Sequence, residues 1–384
     1  MSKARKGRRA RMPILLALIL ILIGGGLYAA ARIAMPLSQL PARSGMALKD
    51  VRTWGYQLQN LRTSRIAAGM DLLVVDYSRD GSDKKAFTAR DVEKLRRRRD
   101  GSKRIVLAYL SIGEAESYRY YWWRLWRFIG PSWLGRENAR WKGNYPVRFW
   151  QSGWQRIIMQ PDRSALDALL ERYMPWRKAY IDKILEAGFD GVYLDRIDVY
   201  GEWAGVRNNA DRDMERFVAV LSAYAKTRKP GFLVVPQNGE ELLRFKNYRR
   251  VIDGVAKEDL FYGINGDGRK NAARQVARSL DDLQQAAHGG LPVFVVEYLD
   301  DGAQAQRLLV RQEAQDQGII LNFAARALDE PPRLLPPLPP LPLAPGGDGS
   351  QTLRPGAMRP MATSDTPVMV PPIKRQRPRP FSVK

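Results

Sequence analysis

Eight times between residues 50 and 330 the chain runs a short strand-forming stretch into a polar end, and in most cases on into a helix-forming stretch. The strand-like runs are WGYQLQN from Trp54, LLVVDY from Leu72, IVLAYLS from Ile105, GVYLD from Gly191, LVVPQN from Leu233, GVAKED from Gly254, VFVVEY from Val293 and IILNF from Ile319. Most are separated by stretches with apolar residues at helical spacing, such as SALDALLERYMPWRKAYIDKILEAG and DRDMERFVAVLSAYAKT. This alternation predicts an α/β fold, a (β/α)8 TIM barrel over residues 50–330, with function at the C-terminal strand ends.

Polar residues fall at those ends: Gln57 and Asn60, Asp76, Ser111 and Glu114, Asp195 and Asp198, Gln237 and Asn238, Glu258 and Asp259, Glu297, and Asn322. A helix cap or an ion pair accounts for one such acid. Carboxylates and amides recurring from strand end to strand end point instead to a shared polar site, against the alternative of scattered caps and ion pairs to Arg196 or Lys257. The segment GFDGVYLDRID poses the choice most sharply, because a carboxylate at the end of a buried apolar strand loses hydration and must be paired or used. Asp195, at the strand tip, is expected to be used, and Asp198 to be paired with Arg196 or with substrate.

Composition narrows the chemistry. The chain has no cysteine, which excludes disulfides, thiol nucleophiles and Cys-ligated zinc. Its one histidine, His288 in AAHGG, reads as a residue near a helix C-terminus, so neither a Ser-His-Asp relay nor a multi-histidine metal site is expected. Carboxylates remain as the groups that move protons, with no metal and no cofactor.

A carboxylate-lined rim beside aromatic side chains suits glycosidic bond cleavage. One carboxyl protonates the leaving oxygen, and a second attacks the anomeric carbon or activates water. Trp54, Tyr56, Tyr77, Tyr109, Tyr193, Tyr262 and Tyr298 lie beside the acids, where they either stack on sugar faces or pack the core. The segment from SYRYYWWRLWRFIG to RWKGNYPVRFW is too long for an ordinary loop, so a lid or side wall is expected after the third strand. Its alternation of Trp and Arg suits a sugar-side wall or a membrane interface.

The flanks differ in character. Residues 1–35 carry six Lys/Arg before Met12 and then an apolar span from Pro13 to Ala31, the layout of a membrane anchor or an export signal. An uncleaved anchor would hold the barrel outside the cytoplasm, periplasmic or extracellular; a cleaved signal would give a secreted protein. Residues 331–384 are rich in Pro and Gly and predict a disordered basic tail. A net charge of +23 suits anionic envelope polymers or lipid headgroups, or a well-solvated surface. Nucleic acid is not expected as a partner, because no recognised binding motif is present.

The motifs WGYQLQN, DLLVVDYS, YLSIGEAESYRYYW, GFDGVYLDRID, PQNGEEL, AKEDLFYG and VFVVEYLD, in this order over about residues 50 to 328, together resemble the glycoside hydrolase family 114 barrel, the endo-α-1,4-polygalactosaminidase group. The resemblance implies a retaining hydrolase acting on α-1,4-linked galactosamine polysaccharide. It places the catalytic pair on Asp195, ending the fourth strand, and Glu258, ending the sixth. Glu258 is assigned as nucleophile and Asp195 as acid/base. Trp54, Tyr56, Asp76, Tyr77, Tyr109, Glu114, Tyr193, Asp198, Gln237, Asn238, Tyr262, Glu297 and Tyr298 are expected to line the substrate. An acidic cleft in a basic protein suits a substrate bearing ammonium groups. Two alternatives stay open: a membrane-tethered barrel that binds carbohydrate without cutting it, and a hydrolase of a different amino-sugar polymer.

Overall fold

The structure, a computed structural model, describes residues 48–161 and 178–338. The expected membrane helix and nearly all of the Pro-rich tail lie outside the described residues. No described helix is long and apolar enough to cross a membrane.

Each of the eight expected runs contains a strand. β1 (Trp54–Gln57), β2 (Leu72–Asp76) and β3 (Ile105–Ser111) are followed by β4 (Glu114–Glu116) and β5 (Asn144–Pro146), an antiparallel pair that frames a long excursion. Then come β6 (Gly191–Asp195), β7 (Leu233–Pro236) and β8 (Val255–Glu258), the short antiparallel pair β9 (Tyr262–Gly263) and β10 (Gly266–Lys270), and finally β11 (Val293–Glu297) and β12 (Ile320–Phe323). The eight expected strands are parallel, hydrogen-bonded in the orders β1-β2-β3-β6-β7 and β8-β11-β12. The two sheets meet at both edges. Gln237 pairs with Ala256 between β7 and β8, and Trp54 Nε1 donates to the Ile320 carbonyl at 2.8 Å between β1 and β12. The molecule is therefore an α/β fold of parallel sheets.

The connecting helices are α1 (Ala89–Arg96), α2 (Ser152–Ile158), α3 (Tyr180–Glu186), α4 (Ala210–Arg228), α5 (Lys246–Val251), α6 (Ala273–His288) and α7 (Gln304–Asp316). α1 starts at a reciprocal cap, in which the Thr88 hydroxyl accepts from the Asp91 amide and the Asp91 carboxylate accepts from the Thr88 amide. The helix expected before β6 is described only as α3; its earlier residues lie outside the described ones.

Side chains alternate along each strand, so every strand feeds two separate cores. Trp54, Tyr56, Leu72, Val74, Leu107, Tyr109, Tyr193, Leu233, Val235, Ala256, Phe294, Val296 and Tyr298 pack on one another across the inner face. Leu73, Val75, Val106, Ala108, Val192, Leu194, Val234 and Val295 pack on the opposite face with helix residues such as Val92, Leu95, Ile181 and Phe217. Both faces are buried, which is why the strands read as continuous apolar runs. This parity decides which strand-end residues can meet: Asp76, Ser111, Asp195, Gln237 and Glu258 share the inner register, whereas Gln57, Tyr77 and Glu297 share the helix-side register.

Candidate active site

Three neighbouring strand ends build the centre of the rim. β6 ends on Asp195, β7 runs into Gln237 and Asn238, and β8 ends on Glu258. Asp195 Oδ1 accepts from the Arg196 amide (2.7 Å) and Gln237 Nε2 (3.0 Å), and Oδ2 accepts from the Tyr109 hydroxyl (2.7 Å). The Tyr193 hydroxyl donates to Gln237 Oε1 at 2.6 Å, which fixes the amide so that its NH2 group faces Asp195. The next residue in the chain holds the other carboxylate. Asn238 Nδ2 donates to Glu258 Oε1 (2.9 Å), the Glu258 amide donates to Asn238 Oδ1 (3.2 Å), and the Tyr298 hydroxyl donates to Glu258 Oε2 (2.9 Å).

The backbone that carries these groups is left-handed at Arg196 (φ 61°) and Asn238 (φ 62°). Asn adopts this conformation readily, but Arg does so at a cost, so Arg196 must be held by its surroundings. Gly113 shows how. A Cβ there would lie 2.1 Å from the Arg196 carbonyl oxygen, so the turn after β3 packs directly on the turn after β6.

Burial pushes the Asp195 carboxyl up to about 7, the negative charge of Glu258 adds to the rise, and the Tyr109 hydrogen bond and Arg196 oppose it. A carboxyl that keeps its proton near neutral pH can donate it. Burial likewise raises Tyr56, Tyr109, Tyr193 and Tyr298, so their hydroxyls stay protonated around the two acids.

Glu258 opens on a cleft of about 290 Å³ lined by Asp198, Asn238, Gly239, Glu240, Glu241, Lys257, Glu258, Asp259 and Ile264. Lys257 pairs with Glu240 at 3.1 Å, Arg326 pairs with Asp259 at 2.9 Å, and the Tyr200 hydroxyl donates to Glu241 at 2.8 Å. Five acids and one lysine line the cleft, so its field is negative. Among the described residues no group of three or more His, Asp or Glu side chains could hold a metal ion.

Of the residues expected from sequence, Tyr109, Tyr193, Asp195, Gln237, Asn238, Glu258 and Tyr298 are brought together, and Asp198 joins them on the cleft wall, 3.3 Å from Arg196. Tyr56 adjoins the site from below, with its ring 5.0 Å from Tyr193. Others go elsewhere. Trp54 is buried in the inner core against Phe294 and is no platform for a sugar. Glu297 has helix-side parity and accepts from the Phe261 and Tyr262 amides, so it braces the turn after β8; burial pushes its carboxyl up to about 8. Tyr77 and Tyr262 pack in the helix-side core. Glu114 is held by Asn138, Asn144 and Arg196.

Asp76 has inner parity, yet it is occupied by Arg119. That buried guanidinium bonds Asp76 at 2.7 Å and Glu116 at 2.6 Å, beneath the excursion. Arg119→Met would leave two buried carboxylates without their cation, which costs about 3–5 kcal/mol. Chemical denaturation is expected to show a loss of that size; a change below about 1 kcal/mol would mean water reaches the acids. Glu240, Glu241, Lys257 and Ile264 were not anticipated as cleft residues. The motif PQNGEEL carried the two glutamates, but a sequence does not show that the turn after β7 folds back over the end of β8.

The family profile described as glycoside-hydrolase family GH114 matches residues 38–332. An uncharacterised protein of Methanocaldococcus jannaschii is 35% identical over 295 residues, covering 72% of this chain and 77% of its own. An uncharacterised protein of Thermotoga maritima is 33% identical, covering 72% and 82%. Among solved structures, the glycoside hydrolase domain of PelA from Pseudomonas aeruginosa is similar in fold, with a TM-score of 0.51 at 17% identity over 74% of this chain and 98% of that domain. By the extent of the profile match and by these relatives, the chain belongs to glycoside hydrolase family 114.

Proposed function

We propose that this chain is a retaining glycoside hydrolase, with its eight parallel strands closed into a (β/α)8 barrel, that cleaves α-1,4-linked galactosamine-type polysaccharide. The observation that carries the reading is the pair of strand-end carboxylates in unlike settings. Asp195 is raised to about 7, and Glu258 is oriented by Asn238 and Tyr298 beside an open cleft. Glu258 attacks the anomeric carbon while the Asp195 proton passes to the leaving oxygen. A water then attacks the glycosyl-enzyme and gives its proton to Asp195, which regenerates both groups. The family supports the reaction class. The negative cleft supports a substrate with ammonium groups, which gain there despite the basic exterior.

The test is to incubate the full chain with partially deacetylated galactosaminogalactan and with other aminoglycans, reading products by mass spectrometry and the new anomeric centre by NMR. Cleavage of the galactosamine polymer with retained α configuration is expected. Polymer bound but uncut would make the protein a tethered carbohydrate binder, and cleavage of only another aminoglycan would replace the substrate. Residues 13–31 are further proposed to anchor the chain with its catalytic region outside the cytoplasm. High-salt washing is then expected to leave the protein in the membrane pellet, and release by salt alone would refute the span.

A further inference from the structure

We propose that the tip of the excursion between β4 and β5 docks on the surface of an anionic lipid bilayer. Nine large apolar side chains are exposed among the described residues, and five of them, Trp123, Leu125, Phe128, Ile129 and Trp141, belong to this excursion. The rest are scattered singly over other elements, as is normal for a surface, so the concentration here marks a contact face. Phe128 and Ile129 are 85% and 81% exposed, just past a single 3-10 turn, Arg124–Arg127.

The turn is held out by an aromatic ladder. The Trp122 ring lies 4.6 Å from Tyr145 and 5.5 Å from Trp126; Trp126 lies 5.1 Å from buried Trp133, and Trp133 5.1 Å from buried Trp154. Trp154 Nε1 donates to the Ile112 carbonyl at 2.8 Å, tying the ladder to the end of β3. The inward tryptophans fix the turn, so the outward residues are displayed on a braced support.

Charge and side-chain type select the partner. Between Glu116 and Glu137 the chain carries four arginines and no acid; Arg119 is taken up by Asp76 and Glu116, while Arg124, Arg127 and Arg136 are exposed. An anionic partner fits that charge. Leu125, Phe128 and Ile129 cannot bond the hydroxyls of a polysaccharide, but acyl chains would take them out of water, with Trp123 at headgroup level and the arginines on phosphates. The apolar span read at residues 13–31 would bring a bilayer within reach, and the docking face does not depend on the hydrolase reading.

The chain has no cysteine, so one label can be placed at will. Full-length Ile129→Cys, and separately Leu309→Cys on α7, are labelled with an environment-sensitive fluorophore and mixed with phosphatidylethanolamine–phosphatidylglycerol vesicles carrying nitroxide acyl chains. The label at position 129 is expected to shift to the blue and be quenched, and the label at 309 to stay in water. Adding Arg124→Glu and Arg127→Glu weakens the response at 129 by about five-fold for each arginine. Equal quenching at both positions, no effect of the arginine changes, or a response at 129 to soluble aminoglycan instead of vesicles overturns the proposal. A chain that stays vesicle-bound with the 129 label in water keeps the membrane span and loses the docking tip.

Discussion

Glu258→Gln is expected to lower polysaccharide hydrolysis by about 10⁴-fold or more while polymer binding changes by less than about 10-fold. The substitution keeps size and shape, so the contacts with Asn238 and Tyr298 that position the side chain are perturbed and not deleted. What it removes is the electron pair that forms the glycosyl-enzyme bond. It also removes the charge that helps to raise Asp195, whose carboxyl in the variant should move back toward its ordinary range. Single-turnover rates, polymer binding by calorimetry and the titration of Asp195 by NMR separate these effects. A variant that cuts normally would end the nucleophile assignment, and one that neither binds nor cuts would show only that the cleft had collapsed.

The strands were legible because a chain buried on both faces writes them as short apolar runs such as LLVVD and VFVVE. The same burial hid the faces. With no polar alternation to set the phase, Glu297 and Tyr77 looked like rim residues, and only the packing of their neighbours shows that they turn toward the helices. Asp195 was marked by its place at a strand tip and its pairing with Glu258 by the family resemblance alone; that both lie on the inner register is visible only in the packing of the strands. Asp76 shares that register but is held by Arg119, 43 residues away in the chain, and no local pattern announces the pairing. The cleft wall was hidden for a related reason: Lys257 comes from β8 and Glu240 from the turn after β7, and their ion pair is a property of how that turn packs on the strand. Trp54 and Tyr56 lie beside the strand-end acids in sequence and fitted either a sugar platform or the core; both rings are buried in the inner core, a depth along the strand that sequence order does not show.

Asp195→Asn tests the acid and carries a sign that a merely structural residue would not. Turnover of the unactivated polymer is expected to fall by about 10²–10⁴-fold, and far less for a substrate whose leaving group needs no proton. The wild-type rate on polymer should decline as pH rises through about 7, where Asp195 loses its proton. The variant, having no proton to lose, should lack that limb. Stability moves the other way. A carboxyl has an ordinary pKa of about 3.9 in the unfolded chain, so a folded value near 7 means that the native state holds the proton more tightly. The associated stabilisation is complete below about pH 4, is lost as pH rises to about 7, and leaves ionised Asp195 as a native-state cost above that. The uncharged amide escapes this cost. Asp195→Asn is therefore expected to melt higher than the wild type at pH 8, by about 2–4 °C for each kcal/mol recovered, with the gap closing toward pH 4. Calorimetry across that range decides the matter: a gap that is independent of pH, or an alkaline limb that persists in the variant, would mean that another group supplies the proton.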